Sequence, residues 1–99
     1  MTSRAVVNRV QRVVRPAKCG HAGTLDPLAT GVLVVCVGPA TRLIEYVQRM
    51  DKRYRGEFLL GHRSNTLDTD GMVEEVMNSA IPSRQQLEAT LPQFVGMTQ

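Results

Sequence analysis

Residues 17–37 read AKCGHAGTLDPLATGVLVVCV, a glycine-punctuated loop that runs into a short apolar stretch. The stretch Val32–Val37 is β-branched and apolar without alternation, which predicts a strand buried on both faces. Such a strand needs neighbours on its edges and cover on both sides, so this one element sets the fold class. In the loop before it, Gly20 and Gly23 permit close backbone approach or positive φ, and Pro27 fixes the turn directly after Asp26.

Upstream, residues Ser3 to Val14 read as an amphipathic helix. At about 100° per residue from Arg4, the side chains of Arg15, Arg12 and Arg9 fall near roughly 20°, 80° and 140°. The valines Val13, Val6, Val10, Val14 and Val7 fall between roughly 180° and 300°, forming a separate apolar face. Thr2 or Ser3 caps the start and Pro16 ends the helix. The first 25 residues hold no acid, as in a mitochondrial presequence. The valine stripe argues instead for a helix that packs on a sheet.

Downstream, Gly38-Pro39 turns the chain, and Leu43, Ile44, Val47 and Met50 recur at helical spacing within 40–50. From Lys52 to Leu60 the pattern alternates, with Tyr54, Gly56, Phe58 and Leu60 on one side, which predicts a strand. A polar loop, 61–71, leads to a strand at Met72–Met77. Ser83, with Gln86 three residues on, marks the start of a last helix whose buried face is Leu87 and Leu91. Three strands interleaved with three helices define an α+β or mixed α/β unit, without internal repeats. Only two further strands accompany Val32–Val37, and the chain stops at 94–99 without a finished element, so the sequence reads as a fragment of a larger domain.

Composition narrows the function. Ninety-nine residues, 42% hydrophobic and 21% charged, suit one small globular domain. No apolar run approaches a membrane span and no signal peptide is evident. Cys19 and Cys36 lack C-x-x-C spacing, so the reading is a reduced, cytoplasmic protein. Charge is graded: residues 1–55 carry ten Lys/Arg against three acids, a balance of +7, whereas 56–99 carry two against six, a balance of −4. A basic half suits a polyanion such as nucleic acid. No dinucleotide fingerprint, phosphate loop, H-E-x-x-H or G-x-S-x-G occurs. In 66–71 the calcium-loop spacing fails, because Thr66 and Met77 stand where carboxylates are needed. Cys19, His21, Cys36 and His62 fit no zinc template.

What remains is Gly20-His21-Ala22-Gly23-Thr24-Leu25-Asp26-Pro27. Two readings of Asp26 stand side by side. It is a turn former whose oxygens bond nearby backbone N–H groups, or it is the reactive group of a site on a loop held by a sheet. Tyr54 is likewise either a strand aromatic or a stacking platform, and His21 either a loop hydrogen-bonder or a substrate contact.

Residues 20–43, GHAGTLDPLATGVLVVCVGPATRL, resemble the catalytic signature of the TruB-type tRNA pseudouridine synthases. Similarity extends in ordered blocks. Thr2-Ser3 with the valine helix is similar to the segment that follows a K-P-x-G stretch. Lys52-Arg53-Tyr54 resembles a K-x-Y strand, Leu60-Gly61 through Thr66, Asp68 and Gly71 an L-G…T-x-D-x-x-G loop, and Leu87 to Gly96 the helix and aromatic-Gly segment after it.

The resemblance implies part of the pseudouridine synthase catalytic fold, a mixed sheet flanked by helices, truncated at both ends. Residues 1–99 would then be the N-terminal portion of the catalytic domain. The C-terminal half, including an arginine that pairs with the catalytic aspartate, and the RNA-binding module would lie outside. It implies isomerisation of a uridine in the T arm of tRNA with Asp26 as nucleophile, and a monomeric parent enzyme with no cofactor, metal or membrane involved. Tyr54 would stack on the extruded base and His21 would occupy or brace the space it leaves, with Gly23, Thr24 and Leu25 lining the substrate loop. Arg42, where the family usually has lysine, would contact RNA phosphate together with Lys18, Lys52, Arg53 and Arg55. Ser64 stands where the family often has threonine. The isolated chain is expected to be inactive. The rival expectations are a non-catalytic RNA-binding or chaperone fragment and a nucleotide-binding α/β module.

Overall fold

The computed structural model describes residues 1–96, and the chain divides into two compact units, Met1–Tyr54 and Arg55–Gln99. The architecture is mixed α+β, and every described strand pairing is antiparallel.

In the first unit, helix α1 spans Ser3–Val14, the range its periodicity predicts. Thr2 is the cap: its hydroxyl accepts from the Ala5 N–H at 3.2 Å, a contact worth about 1 kcal/mol. Strand β1, Cys19–His21, pairs with β2, Val35–Val37, in the register Cys19 with Val37, Gly20 with Cys36 and His21 with Val35. Flanking bonds extend this ribbon by one residue at each end, from the Gly38 N–H to the Lys18 carbonyl at 2.6 Å and from the Ala22 N–H to the Val34 carbonyl at 2.9 Å. A 3-10 turn, Gly38–Leu43, then leads into a short helix α2, Ile44–Gln48.

Gln11 welds α1 to the ribbon. Its Nε2 donates to the Ala17 carbonyl at 2.6 Å and its Oε1 accepts from the Cys19 N–H at 3.1 Å. These bonds roll the helix towards Val7, which is 2% exposed, and leave Val13 at 85%. Burying Val7 contributes about 2 kcal/mol. The valine face is therefore covered for the most part, with Val13 at its edge left exposed.

Several sequence expectations are corrected here. The predicted strand Val32–Val37 shrinks to Val35–Val37, because β1 offers only three residues to pair with. Val32 is 86% exposed, whereas Cys36 within the strand is buried and its neighbours Val35 and Val37 are half-buried. Part of the predicted loop is β1 itself. The helix expected over 40–50 is half 3-10, and Leu43 and Met50 are exposed. Residues Lys52 to Leu60 form no strand and are exposed throughout. Alternation alone cannot make a strand, since its N–H and C=O groups need a neighbouring ladder, and among the described residues none pairs with this segment.

In the second unit, β3, His62–Ser64, lies within the predicted loop and pairs with β4, Val73–Glu75, inside the predicted strand Met72–Met77. Arg63 spans this pair, donating to the Glu74 carboxylate at 3.1 and 3.0 Å. Helix α3, Arg84–Thr90, begins with the expected capping box between Ser83 and Gln86, and a 3-10 turn, Leu91–Phe94, follows it. Its expected apolar face is corrected too: Leu87 is 39% exposed and Leu91 62%. The chain-end reading at 97–99 lies outside the described residues.

Between β3 and β4 the chain closes around Gly71. A Cβ there would lie 2.5 Å from Thr66 Oγ1 and 2.8 Å from Ser64 Oγ, too close for either to remain. Thr66 Oγ1 bonds Asp70 Oδ1 at 2.9 Å, and Asn65 Oδ1 accepts from the Met72 N–H at 3.0 Å. Gly71→Ala should therefore loosen the hairpin, raising amide exchange at Met72 by about tenfold or more. Unchanged exchange would show that the polar loop is not held by this packing.

Candidate active site

The loop between β1 and β2 carries Asp26, and three restraints meet at that residue. Proline follows it, which confines its backbone to extended conformations. Its carbonyl accepts from the Ala29 N–H at 2.9 Å, closing a turn over Pro27 and Leu28. The residue before it, Leu25, is held on both of its backbone groups by the Ser3 hydroxyl: the Leu25 N–H donates to Oγ at 2.9 Å, and Oγ donates to the Leu25 carbonyl at 3.3 Å. Ser3 is 6% exposed, whereas Asp26 is exposed. Three ion pairs occur among the described residues, Arg49 with Glu45, Arg63 with Glu74 and Arg84 with Glu88, and none uses Asp26. The side chain thus projects to solvent from a backbone that is fixed.

His21 stands at the end of β1, half-buried, opposite Val35. Its Nδ1–H donates to the Gly23 carbonyl at 2.6 Å. Because a carbonyl oxygen only accepts, Nδ1 is the donor in this bond, which orients the ring with Nε2 on its other side. Gly23 makes this bond from φ +125, a conformation L side chains rarely adopt. Thr24 is exposed and Leu25 half-buried, so the loop turns Leu25 inward and Thr24 and Asp26 outward.

Tyr54 is 78% exposed and belongs to no strand, so the alternation that groups it with Phe58 and Leu60 has no sheet to act on. The cations are also exposed. Arg42 lies in the last turn of the 3-10 segment, and Lys18 directly precedes β1. Lys52 Nζ donates to the Gln48 carbonyl at 2.7 Å, capping the end of α2 while remaining open to solvent. Arg53 is exposed in the first unit and Arg55 begins the second.

Two shallow hollows in the second unit, one along Arg63, Ser64 and Met72 and one around His62, Val76 and Ile81, contain none of these residues. Among the described residues no three His, Cys, Asp or Glu side chains gather as a metal-holding group. No described helix is long and apolar enough to cross a membrane.

Sequence reasoning missed Ser3 and Gln11. Ser3 was open to reading only as a helix cap; the available signal was the adjacent pair Thr2-Ser3, two hydroxyls where one suffices to cap.

The chain thus carries an aspartate on a loop between short paired strands, and comparison of its sequence with known proteins gives its family. The sequence model of the family described as TruB family pseudouridylate synthase (N terminal domain) matches residues 11–99, and the chain belongs to that family. It is 44% identical over 97 residues to the tRNA pseudouridine synthase B of Caulobacter vibrioides, covering 97% of this chain and 31% of that protein. It is similar to the proteins of the same name from Enterobacter sp., at 45% over 98 residues, 99% of this chain and 31% of that one, and from Moorella thermoacetica, at 53% over 73 residues, 74% and 24%. The chain thus spans about a third of the length of such relatives. No solved structure matches it.

Proposed function

We propose that this chain is the N-terminal part of the catalytic domain of a tRNA pseudouridine synthase, working on tRNA in the cytoplasm. Asp26 is the nucleophile towards a uridine in the T arm. The observation that carries the reading is the Asp26 carboxylate itself, exposed and free of ion pairs among the described residues on a backbone restrained at Leu25, Pro27 and Ala29. An ionised carboxylate can attack an electrophilic carbon of the nucleoside and later leave, so that the glycosidic bond moves from nitrogen to carbon. The net change is an isomerisation and consumes no co-substrate.

Reaching the base requires taking it out of the stack. His21, oriented through Gly23, braces the space so vacated, and Tyr54 stacks on the extruded uracil. Gly23, Thr24 and Leu25 shape the loop around it. Lys18, Arg42, Lys52, Arg53 and Arg55 hold phosphates. A mixed sheet and a charge partner for Asp26, supplied by the remainder of a full-length enzyme that acts as a monomer, complete the site.

The test is a chimera in which this chain replaces the matching third of the Caulobacter vibrioides relative. The chimera should release tritium from carbon-5-labelled uridine in a T-arm stem-loop. The 99-residue chain alone should bind the same RNA weakly and release none, because an exposed carboxylate lacks the fixed electrostatic surroundings that catalysis requires. An inactive chimera would overturn the reading, and RNA binding without turnover would favour a binding fragment.

A further inference from the structure

Resting on the reading of Asp26 as nucleophile, we propose that Ser3 is a positioning residue for it, acting through the backbone of Leu25. Ser3 and Leu25 are 22 residues apart, yet one buried hydroxyl satisfies both the N–H and the C=O of Leu25, at 2.9 and 3.3 Å. Those are the bonds a neighbouring strand would supply. Among the described residues the loop has no strand partner at this point, and Ser3 substitutes for one. Thr2 takes over the capping of α1, which frees the Ser3 side chain for the loop. Ser3 falls on the same side of the helix as Val7 and Val14, and Val7 and Gln11 anchor the helix to the chain around β1. The position of α1 is thereby transmitted to the peptide that carries Asp26. With the turn at Pro27 fixing the other side, the backbone of Asp26 is held at both ends.

The inference separates cleanly from helix stability, because its neighbour provides the control. Ser3→Ala removes the clamp but keeps the cap and a good helix former; Thr2→Ala removes the cap but keeps the clamp. In the chimera, Ser3→Ala should lower kcat by about ten- to a hundredfold with KM for the stem-loop little changed, since small misplacements of a reacting group cost rate rather than binding. That loss of rate should be far larger than Thr2→Ala gives at a comparable melting temperature. Thr2→Ala should lower the melting temperature and leave kcat within about twofold. Amide exchange at Leu25, measured on the 99-residue chain, should rise by about tenfold or more in Ser3→Ala and not in Thr2→Ala. That exchange measurement stands apart from turnover. Unchanged Leu25 exchange overturns the clamp even if the chimera is a good enzyme. Faster exchange with unchanged kcat overturns the positioning role, as does a loss of kcat that tracks melting temperature equally in both variants. An inactive parent chimera would count against the proposed reaction and with it the positioning role, while the exchange data would still decide the clamp.

Discussion

Asp26→Asn in the chimera should reduce tritium release by at least about a thousandfold while leaving affinity for the stem-loop within about twofold. Asparagine matches aspartate in size and keeps the residue polar, so the turn at Pro27 and the bond from the Ala29 N–H are undisturbed. It removes the negative charge and the capacity to form and release an ester-like bond. The effect is large because nothing nearby can take over: Glu45 is committed to Arg49 at the end of α2, and Asp51 is the sole other acid of the first unit. Circular dichroism on both proteins separates loss of chemistry from loss of fold. Turnover near that of the parent would take Asp26 out of the mechanism.

The second large effect is electrostatic. The five phosphate contacts proposed for Lys18, Arg42, Lys52, Arg53 and Arg55 should make binding of the stem-loop to the 99-residue chain fall by roughly a hundredfold or more between about 50 and 200 mM salt. Arg42→Ala should weaken binding at low salt and flatten the slope by about one contact. Arg42→Lys should retain most of the affinity, since a phosphate accepts either cation as a point charge. Titration of a labelled stem-loop by fluorescence anisotropy at several salt concentrations measures all three. Tight binding that ignores salt would mean recognition through stacking and hydrogen bonds, and would remove these cations from the interface.

The boundary between what was legible and what was not follows the range of the interactions. Helix α1 and the capping box of α3 were readable because their causes lie within a few residues: a hydroxyl before an amphipathic run, or a serine with a glutamine three positions on. The loop position of Asp26 and its turn were readable for the same reason, since Pro27 imposes both locally. The alternation over 52–60 misled because a strand is a property of two segments. Its apolar side chains, among them Phe58 at 87% exposure, have nothing to pack against among the described residues. The valine stripe of α1 gave the right helix and most of its covered face, with Val13 at the edge left exposed where Gln11 bonds to Ala17 and Cys19 on the other side.

The sequence by itself determined that Asp26 sits on a loop and how its peptide turns, through the local order Gly23-Thr24-Leu25-Asp26-Pro27. Tertiary structure alone decided how that peptide is restrained. The pairing of Cys19–His21 with Val35–Val37 and the clamp from Ser3 to Leu25 join residues 14 to 22 positions apart. No local preference encodes such contacts. They form because a backbone N–H or C=O withdrawn from water must find a partner, and the partner is whichever group folding brings within about 3 Å.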